Sequence, residues 1–425
     1  MTESARRLPF KQAGACFEDH NEALYSCAFN PYTVSDQEQL LAVAGINQVT
    51  IYSFLNNNDD FVPVICIRDP TLHLHEDYDE KRDEDNDDSS MRTDRVYAVN
   101  WLWDAKTRKL MVVFGGENGT LRVADASNGA HVRTHNGHGN IVNDIRVHPS
   151  NSLVYVSASK DMTVRVWNVR CPHPLAILAG FNGHRDQVLS CDWSPCGRYI
   201  ATGCMDHFVR LWPVTDELQQ RIDNTSNPMY KYVIDRSELL PCEGDLIDDT
   251  VEIGQHVAES GDLHTNYVDC VRFFHDFLFT KSSENMIVLS KFGDVEDGIA
   301  GMAVRKANFV ETNVSQLAYL TVPKGDTWFL KFDIDPKRQW LAAGVPGGLI
   351  HMWILTPTRF PSKAPDFTLH LKEKTTIRQI SFEPYGRYFA CVCDDGGIRR
   401  FNRVEEDKKK RKKSPPPGSV ITINS

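Results

Sequence analysis

Short runs of alternating hydrophobic and polar residues occupy most of the chain, and turn residues separate them. The stretch GHGNIVNDIRVHPSNSLVYVSASKDMTVRVWNV begins at Gly137, and GHRDQVLSCDWSPCGRYIATGCMDHFVRLWPV begins at Gly183. Each stretch contains successive alternating runs, which predict β-strands joined by tight turns. We therefore expect an all-β protein built from repeated strands.

The two stretches also share a period. Corresponding residues lie 45 or 46 positions apart, for the pairs His138 and His184, Asp161 and Asp206, and Trp167 and Trp212. A Gly-His pair at the start, with Asp and then Trp at the end, is typical of WD40 repeats, in which each repeat forms one four-stranded blade of a propeller.

Weaker copies of the pattern fill the rest of the chain and predict seven blades over residues 18–403. The successive copies end at Tyr52, Ala124, Trp167, Trp212, Ser290, Trp353 and Phe401, at intervals of 72, 43, 45, 78, 63 and 48 residues. Long intervals predict loop insertions at about 73–93 and 214–262, with a shorter one near 292–318. Segment 1–17 is expected to supply the outer strand of blade seven, which closes the ring and leaves no open sheet edge.

Two sets of polar residues recur within the repeats. In one blade the set is His138, Ser157, Asp161 and Trp167, and in the next it is His184, Thr202, Asp206 and Trp212. Each set can form a buried hydrogen-bonded chain that fixes the turns of its blade. A Ser-His-Asp set is also found in hydrolases, but regular repetition beside a Trp favours a structural role.

Charge is distributed unevenly over a chain with a net charge of −10. The run KKKRKK (408–413) holds six positive charges, so the remainder carries −16 and lacks the broad basic face of a general nucleic-acid binder. HEDYDEKRDEDNDD (75–88) is expected to be a disordered loop, either a solubilising insertion or a docking site for basic tails. Residues 404–425 are expected to form a disordered basic, Pro-rich tail.

Several classes of site and location receive no support from the sequence. There is no run of 18 apolar residues, so we expect no membrane span, and the first twenty residues do not resemble a signal peptide. The eleven cysteines form no CxxC pairs, which indicates reduced thiols; CVC (Cys391 and Cys393) alternates as a strand should. We expect no metal site, no cofactor and no catalytic residues.

The predicted inner strands end in an apolar or aromatic residue just before a turn, and counting back four positions reaches the mouth of the central channel. This count gives a ring of Tyr25, Tyr97, Asn143, Leu189, Asp269, Trp328 and Arg378. Blades six, seven, one and two are consecutive in a closed ring, so the aromatic members, with Phe329, would lie side by side. Such ring faces can hold a methylated ammonium by cation–π attraction. Alternatively, these aromatic residues only pack loops on that face.

Several motifs resemble one family in particular. EDHNEALYSCAFN, NGHGNIVNDIRVHP, GHRDQVLS, GCMDHFVRLW, NYVDCVRF, KSSENMIV and IRQISFEPYGRYFACVCDD are similar to the embryonic ectoderm development / extra sex combs family, the WD40 subunits of Polycomb repressive complex 2. The resemblance runs from about residue 18 to 403. Generic WD40 features explain GH and RLW but not NYVDCVRF or IRQISF.

The resemblance implies a site, partners and a location. The family's aromatic cage for trimethyl-lysine of histone tails would fall on Tyr25, Tyr97, Trp328 and Phe329, and a peptide contact on Arg378. The opposite face would bind the histone methyltransferase subunit, among other subunits of a nuclear Polycomb complex. Reading the mark would stimulate methylation and transcriptional repression.

The chain departs from the family in three places. Phe329 stands where the family usually has Tyr, which removes one hydroxyl and keeps the ring. The acidic loop at 75–88 is long, and a basic run lies at the C-terminus, where the family usually has one at the N-terminus. That run is either a nuclear localisation signal, a weak nucleic-acid contact or a solvated tail.

We therefore expect a non-enzymatic reader and scaffold. The alternative is a generic WD40 adaptor, such as a substrate receptor of a ubiquitin ligase, without a methyl-lysine site, because the fold alone does not choose between them. An enzyme ranks last, since no phosphate-binding loop or zinc spacing is present and the one triad-like set has a structural explanation.

Overall fold

The strands of the described residues form seven sheets, which are antiparallel except for one added outer strand. The computed structural model describes residues 8–32, 38–55, 60–68, 94–226, 250–293, 310–356 and 360–404. Six of the sheets have four strands and one has five. The expected all-β, seven-bladed WD40 propeller is confirmed.

The strands follow one another in chain order, four to a blade, from the channel outward. Blade one comprises β2 (Ser26–Phe29), β3 (Glu38–Ala44), β4 (Gln48–Leu55) and β5 (Val62–Arg68); blade two comprises β6 (Val96–Asp104), β7 (Lys109–Gly116), β8 (Leu121–Asp125) and β9 (His131–His135). Blade three comprises β10 (Val142–Val147), β11 (Val154–Ser159), β12 (Val164–Asn168) and β13 (Ala176–Leu178), with β17 (Val251–Ile253) added in parallel outside β13.

The remaining blades repeat the same plan. Blade four comprises β14 (Val188–Trp193), β15 (Tyr199–Cys204), β16 (Val209–Pro213) and β18 (Ala258–Ser260); blade five comprises β19 (Val268–Phe274), β20 (Phe277–Ser282), β21 (Met286–Phe292) and β22 (Val314–Thr321). Blade six comprises β23 (Asp333–Ile334), β24 (Trp340–Val345), β25 (Leu349–Ile354) and β26 (Phe367–His370). Blade seven comprises β27 (Ile377–Phe382), β28 (Tyr388–Cys393), β29 (Gly397–Arg403) and β1 (Phe10–Phe17).

Blade seven joins the two ends of the described chain. Strand β1 pairs antiparallel with β29, from Phe10 opposite Arg403 to Phe17 opposite Gly397. The Phe10 ring is fully buried and lies edge-on to Trp340 and Phe389. The segment before blade one is therefore held both by a strand ladder and by packing between blades six and seven.

The apolar core consists of seven clusters, each filling the space between neighbouring blades. One of them joins blade seven to blade one through Leu24, Phe29 and Tyr388. Because each blade has an apolar face toward both neighbours, its strands read as nearly continuous buried runs. Ring closure thus buries the faces that a single blade would leave exposed.

The interval 214–262, interpreted as a loop, contains regular structure. Helix α1 (Asp216–Ser226) begins after Thr215, whose hydroxyl accepts a hydrogen bond from the Leu218 amide at 3.2 Å. Its buried face, Leu218 and Ile222, packs into the core between blades three and four. Among the described residues no helix is long and apolar enough to cross a membrane. The acidic run and the C-terminal basic run lie outside the described residues.

The first predicted polar set is brought together in blade three. His138 lies 2.8 Å from Asp161 through Nδ1 and 2.7 Å from the Ser157 hydroxyl through Nε2. The Trp167 indole donates to the same hydroxyl at 2.8 Å. Ser157 is fully buried and already accepts the indole N–H, so this triad-like set offers no accessible nucleophile.

The second set has the same arrangement in blade four. His184 lies 3.1 Å from Asp206 and 2.7 Å from the Thr202 hydroxyl, to which the Trp212 indole donates at 3.0 Å. Charge and hydrogen bonds from His184 hold the pKa of Asp206 well below its usual range, although burial opposes this.

A third network, missed in the sequence, lies in blade five. His264 contacts Glu284 at 3.0 Å and the Thr280 hydroxyl at 2.7 Å. Glu284 stands where the other two networks have Asp, and no Gly directly precedes His264, so the motif was not recognised. The spacing of four residues from hydroxyl to carboxylate, shared with Ser157 and Asp161, was the available signal.

Hydrogen bonds between inner strands link every pair of neighbouring blades. In each link a side chain of one inner strand bonds a backbone N–H or C=O of the next, at 2.8–3.3 Å. The side chains, from the link between blades one and two onward, are Ser26, Asn100, Asp144, Asp192, Asp269, Asp333 and Ser381. Burial raises the pKa of Asp192 to about 7 and that of Asp333 to about 6.

One histidine outside the repeated networks is buried in a neutral form. The His135 ring stacks on Trp167 at 5.0 Å, its Nδ1 accepts from the Tyr155 hydroxyl, and its Nε2 donates to the Cys171 carbonyl at 2.7 Å. Burial lowers the pKa of His135 from 6.5 to about 3. The unfolded chain therefore binds a proton at this histidine below pH 6.5, whereas the folded chain binds it only below about pH 3. Because the unfolded state binds more protons between these pH values, the free energy of unfolding falls as the pH falls from 6.5 towards 3.

We expect the free energy of unfolding to drop more steeply with acid in the wild type than in a His135→Phe/Tyr155→Phe variant. The difference arising between about pH 7 and about pH 4.5 should be about 2–3 kcal/mol. Denaturant titration at both pH values measures it, and Tyr155→Phe alone, which keeps the histidine, should retain the steep dependence. Comparing variants removes the opposite contributions of Asp192 and Asp333. Parallel pH profiles for the wild type and the double variant would contradict this account.

Candidate functional site

Bulges shape the inner strands at one mouth of the channel. The ladder between the first two strands skips one residue in blades two, three, four, five and seven. The skipped residues are Tyr97, Asn143, Leu189, Asp269 and Arg378. A bulge leaves its residue unpaired and redirects the side chain. The ring positions counted from the sequence are therefore bulge positions in five blades.

The register predicted for blade six is wrong by two residues. Ile334 pairs with Leu341, as Phe382 pairs with Phe389 in blade seven, so counting back four reaches Leu330. The count from Phe332 placed Trp328 at this level. Trp328 and Phe329 instead precede the strand, in the segment that leads into it.

Three aromatic rings nevertheless meet at this mouth. The centroids of Tyr25 and Tyr97 are 4.8 Å apart with an interplanar angle of 62°, and Phe329 lies 6.0 Å from Tyr25 and 5.6 Å from Tyr97, at 76° and 73°. Trp328 packs on Phe329 at 5.9 Å and 74°. Rings set nearly perpendicular to one another form adjoining walls rather than a stack, and such walls can present their faces to one cation.

The walls differ in exposure. Trp328 is 48% exposed and Phe329 is 5% exposed, while Tyr25 and Tyr97 are half-buried. Burial raises the pKa of Tyr97, and the nearby carboxylate of Glu117 raises it further, so the phenol stays protonated at neutral pH. Phe329 is thus the most buried wall of the group, and Trp328 is its exposed outer wall.

Phe329 has an unusual backbone conformation, with a φ of 61°. The left-handed region costs a bulky residue about 1–2 kcal/mol, and it persists only where the surroundings hold it. The backbone that follows Phe329 is held at two points: the Leu330 N–H by Asp269 at 3.2 Å, and the Lys331 N–H by the Arg378 carbonyl at 2.8 Å.

Arg378 supports the outer wall. Its guanidinium pairs with Asp394 at 2.5 and 2.9 Å and donates to the Trp328 carbonyl at 3.2 Å. Its carbon Cζ lies 5.6 Å from the Tyr25 ring centroid. Arg378 therefore holds the segment that carries Trp328.

A buried ammonium lies beneath the rings. Lys331 Nζ donates to the Asn143 carbonyl at 2.7 Å, lies 3.0 Å from Asp144 and is 5.0 Å from the Phe329 ring centroid. Asn143, Leu189 and Asp269, further members of the counted ring, are buried. Polar and charged groups, including this ammonium, therefore lie close to the aromatic rings.

One cluster offers donor groups of the kind that bind metals. Ligand atoms of His184, Cys204 and Asp206 lie within 4.8 Å of one another. The guanidinium of Arg210 lies 2.8 Å from Asp206 and 2.6 Å from His184. Because a cation already neutralises this carboxylate, the cluster is a poor site for a second one.

Comparison with known proteins gives consistent relatives. The family model "WD domain, G-beta repeat" matches residues 129–168 and 175–213. "Polycomb protein esc" of Drosophila melanogaster is 30% identical over 400 residues, which cover 93% of this chain and 85% of that protein.

Solved structures share the fold. A chain of the Chaetomium thermophilum polycomb repressive complex 2 superposes with a TM-score of 0.72 at 16% identity, covering 94% of this chain and 99% of that one. A chain of "ctPRC2 in complex with H3K27me3 and H3K27M" gives 0.71 at 16% identity, with the same coverage.

We expect Arg378→Ala to loosen Trp328 in the absence of any ligand, because the Trp328 carbonyl loses its donor. In protein labelled with 5-fluorotryptophan, the ¹⁹F signal of Trp328, assigned by Trp328→Phe, should shift and broaden. Arg403→Ala is the control, since this arginine bonds Gln339 at the other end of blade seven. A Trp328 signal equally sharp in all three proteins would show that Arg378 does not position it.

Proposed function

Because the chain belongs to the family of the Polycomb protein esc, we propose that it is a non-catalytic reader and scaffold subunit of a Polycomb-type histone methyltransferase complex. It binds a trimethyl-lysine of a histone tail between Tyr25, Tyr97, Trp328 and Phe329. Its opposite face carries the methyltransferase subunit, and the assembly acts in the nucleus. Arg378 contacts the bound peptide in addition to holding Trp328.

The meeting of three ring faces at one channel mouth carries this proposal. Blades six, one and two supply Phe329, Tyr25 and Tyr97, and mutual angles of 62–76° give a trimethylammonium group several faces at once. Trimethyl-lysine keeps its charge but is weakly hydrated, so its transfer from water into such a site costs little. One of the similar solved structures is of a complex with H3K27me3, which indicates the peptide to test.

The buried ammonium of Lys331 is compatible with a cation above it. Asp144, at 3.0 Å, and the Asn143 carbonyl neutralise and bond this ammonium below the rings. The bound methyl-lysine approaches from the solvent side, where Trp328 is exposed. Phe329 then lies between two cations, one permanent and one bound, and its quadrupole is shared between them. We infer that Tyr25, Tyr97 and Trp328 supply most of the attraction.

We expect an H3K27me3 peptide to bind more tightly than the unmethylated peptide, and more tightly than one carrying a neutral tert-butyl isostere of the same shape. Each cation–π contact contributes about 0.5–2 kcal/mol, so the loss from removing the charge should be about tenfold or more. Isothermal titration calorimetry measures all three affinities.

Variants complete this test. Tyr97→Ala should weaken trimethyl-peptide binding, whereas Tyr319→Ala, which removes an exposed tyrosine from the outer strand of blade five, should not. Equal affinity for the charged and neutral peptides would refute cation–π recognition. Equal affinity for methylated and unmethylated peptides would refute the reader function and leave the generic adaptor.

Stimulation of the enzyme requires that peptide and methyltransferase favour each other's binding. By linkage, the methyltransferase subunit must then raise the affinity of this chain for the methylated peptide, by about fivefold or more. We expect fluorescence anisotropy to give a lower dissociation constant for the assembled complex than for the chain alone. An unmethylated peptide serves as the control. Identical dissociation constants would remove the coupling and leave separate reading and scaffold roles.

A further inference from the structure

An ion pair in blade five is buried without an evident role in that blade. Lys281 Nζ lies 3.0 and 2.9 Å from the two carboxylate oxygens of Asp269, and both side chains are fully buried. Burying two charges is costly, and an apolar pair of similar volume is often as stable. The pair therefore suggests a purpose other than stability.

Lys281 is exceptional at its position. In the ladder it faces Cys270, the residue after the bulge, and the corresponding positions of other blades hold small or apolar residues. These are Ala44, Gly115, Ala158, Gly203 and Val392. None of these five blades has a lysine at this position. The Lys281 ammonium contacts Asp269, the bulged residue next to Cys270.

The bulged residue reaches into the next blade. Asp269 accepts the Leu330 N–H at 3.2 Å, and the Phe329 N–H also points at this carboxylate. Burial raises the pKa of Asp269, whereas the Lys281 charge and the two N–H groups lower it. Lys281 thus favours the charged form, which has enough acceptor capacity for the ammonium and both amides.

We propose that the buried Asp269–Lys281 pair is a positioning element of the aromatic cage: it holds the Phe329–Leu330 backbone in the left-handed turn that directs the Phe329 ring toward Tyr25 and Tyr97. The role in ligand binding rests on the proposed function, but the positioning itself does not. Asp269 and Lys281 touch no ligand and act through Phe329. When this wall is ordered before the ligand binds, binding does not include the entropy cost of ordering it.

Two double variants separate the acceptor from the charges. Asp269→Leu/Lys281→Met removes both charges and the acceptor, whereas Asp269→Asn/Lys281→Met removes the charges but keeps an oxygen for the Leu330 N–H. Paired replacement avoids leaving one buried charge alone. Asp333→Leu is the control, since Asp333 also bonds a backbone amide of the next blade, that of Phe382 in blade seven at 2.9 Å.

The readout is the Phe329 ring itself, without ligand. In chain labelled with 4-fluorophenylalanine, its ¹⁹F signal is assigned by Phe329→Leu. We expect this signal to shift and broaden in Asp269→Leu/Lys281→Met and to stay near the wild-type position in Asp269→Asn/Lys281→Met and in Asp333→Leu. Affinity for the H3K27me3 peptide should fall about tenfold in the first variant and stay within about threefold in the second.

The outcomes distinguish the two proposals. An unchanged Phe329 signal in folded Asp269→Leu/Lys281→Met overturns the positioning role, as does an equal change in Asp333→Leu, which would indicate general loosening of the ring. If the wild-type chain fails to bind the methylated peptide, the proposed function fails, and the ¹⁹F signals still decide whether this pair positions Phe329.

Discussion

The unpaired edge of each inner strand is the constraint on which this propeller depends. An inner strand has a ladder partner on one side only, so the N–H and C=O groups along its other edge have no ladder partner. Buried backbone groups need partners. Here side chains such as Ser26, Asp144 and Asp333 supply them, with at least one such hydrogen bond between each pair of neighbours. The blades are therefore locked to one another by hydrogen bonds as well as by the apolar clusters between them.

The same links place the candidate site. Tyr25 and Phe329 are 304 positions apart in the sequence, and only closure of the ring brings their rings to 6.0 Å. Bulges at the start of the inner strands then turn the residues of that level toward the channel mouth. Asp269, itself a bulge residue, links blade five to blade six, where its partner is the turn that carries Phe329. Closure and site geometry are thus parts of one arrangement.

The period of 45 residues was enough to predict the seven blades, because every repeat buries the same faces. Tyr25 and Tyr97 followed from position within the repeat, whereas Trp328 and its neighbour Phe329 came from a count that was two residues out. Besides the His264 network in blade five, two features escaped this reasoning. Blade six was counted from Phe332 rather than Ile334, since both are apolar and only the ladder to Leu341 distinguishes them. Helix α1 lies in an insertion, where no repeat constrains the chain. Its capping residue, Thr215, is a local signal for the start of a helix, and the repeat period gives no information about it.

The left-handed turn at Phe329 shows why the backbone geometry of the candidate site could not be predicted from the sequence. No pattern of apolar residues predicts a φ of 61° for a phenylalanine, because the conformation is unfavourable locally. It exists because distant groups hold the residues beside it: Asp269 from blade five and the Arg378 carbonyl from blade seven. The tertiary contacts formed on folding therefore offset the strain at Phe329 without any ligand. A site assembled in this way has its walls set by tertiary contacts, and residues outside it, such as Asp269, hold the backbone of one wall.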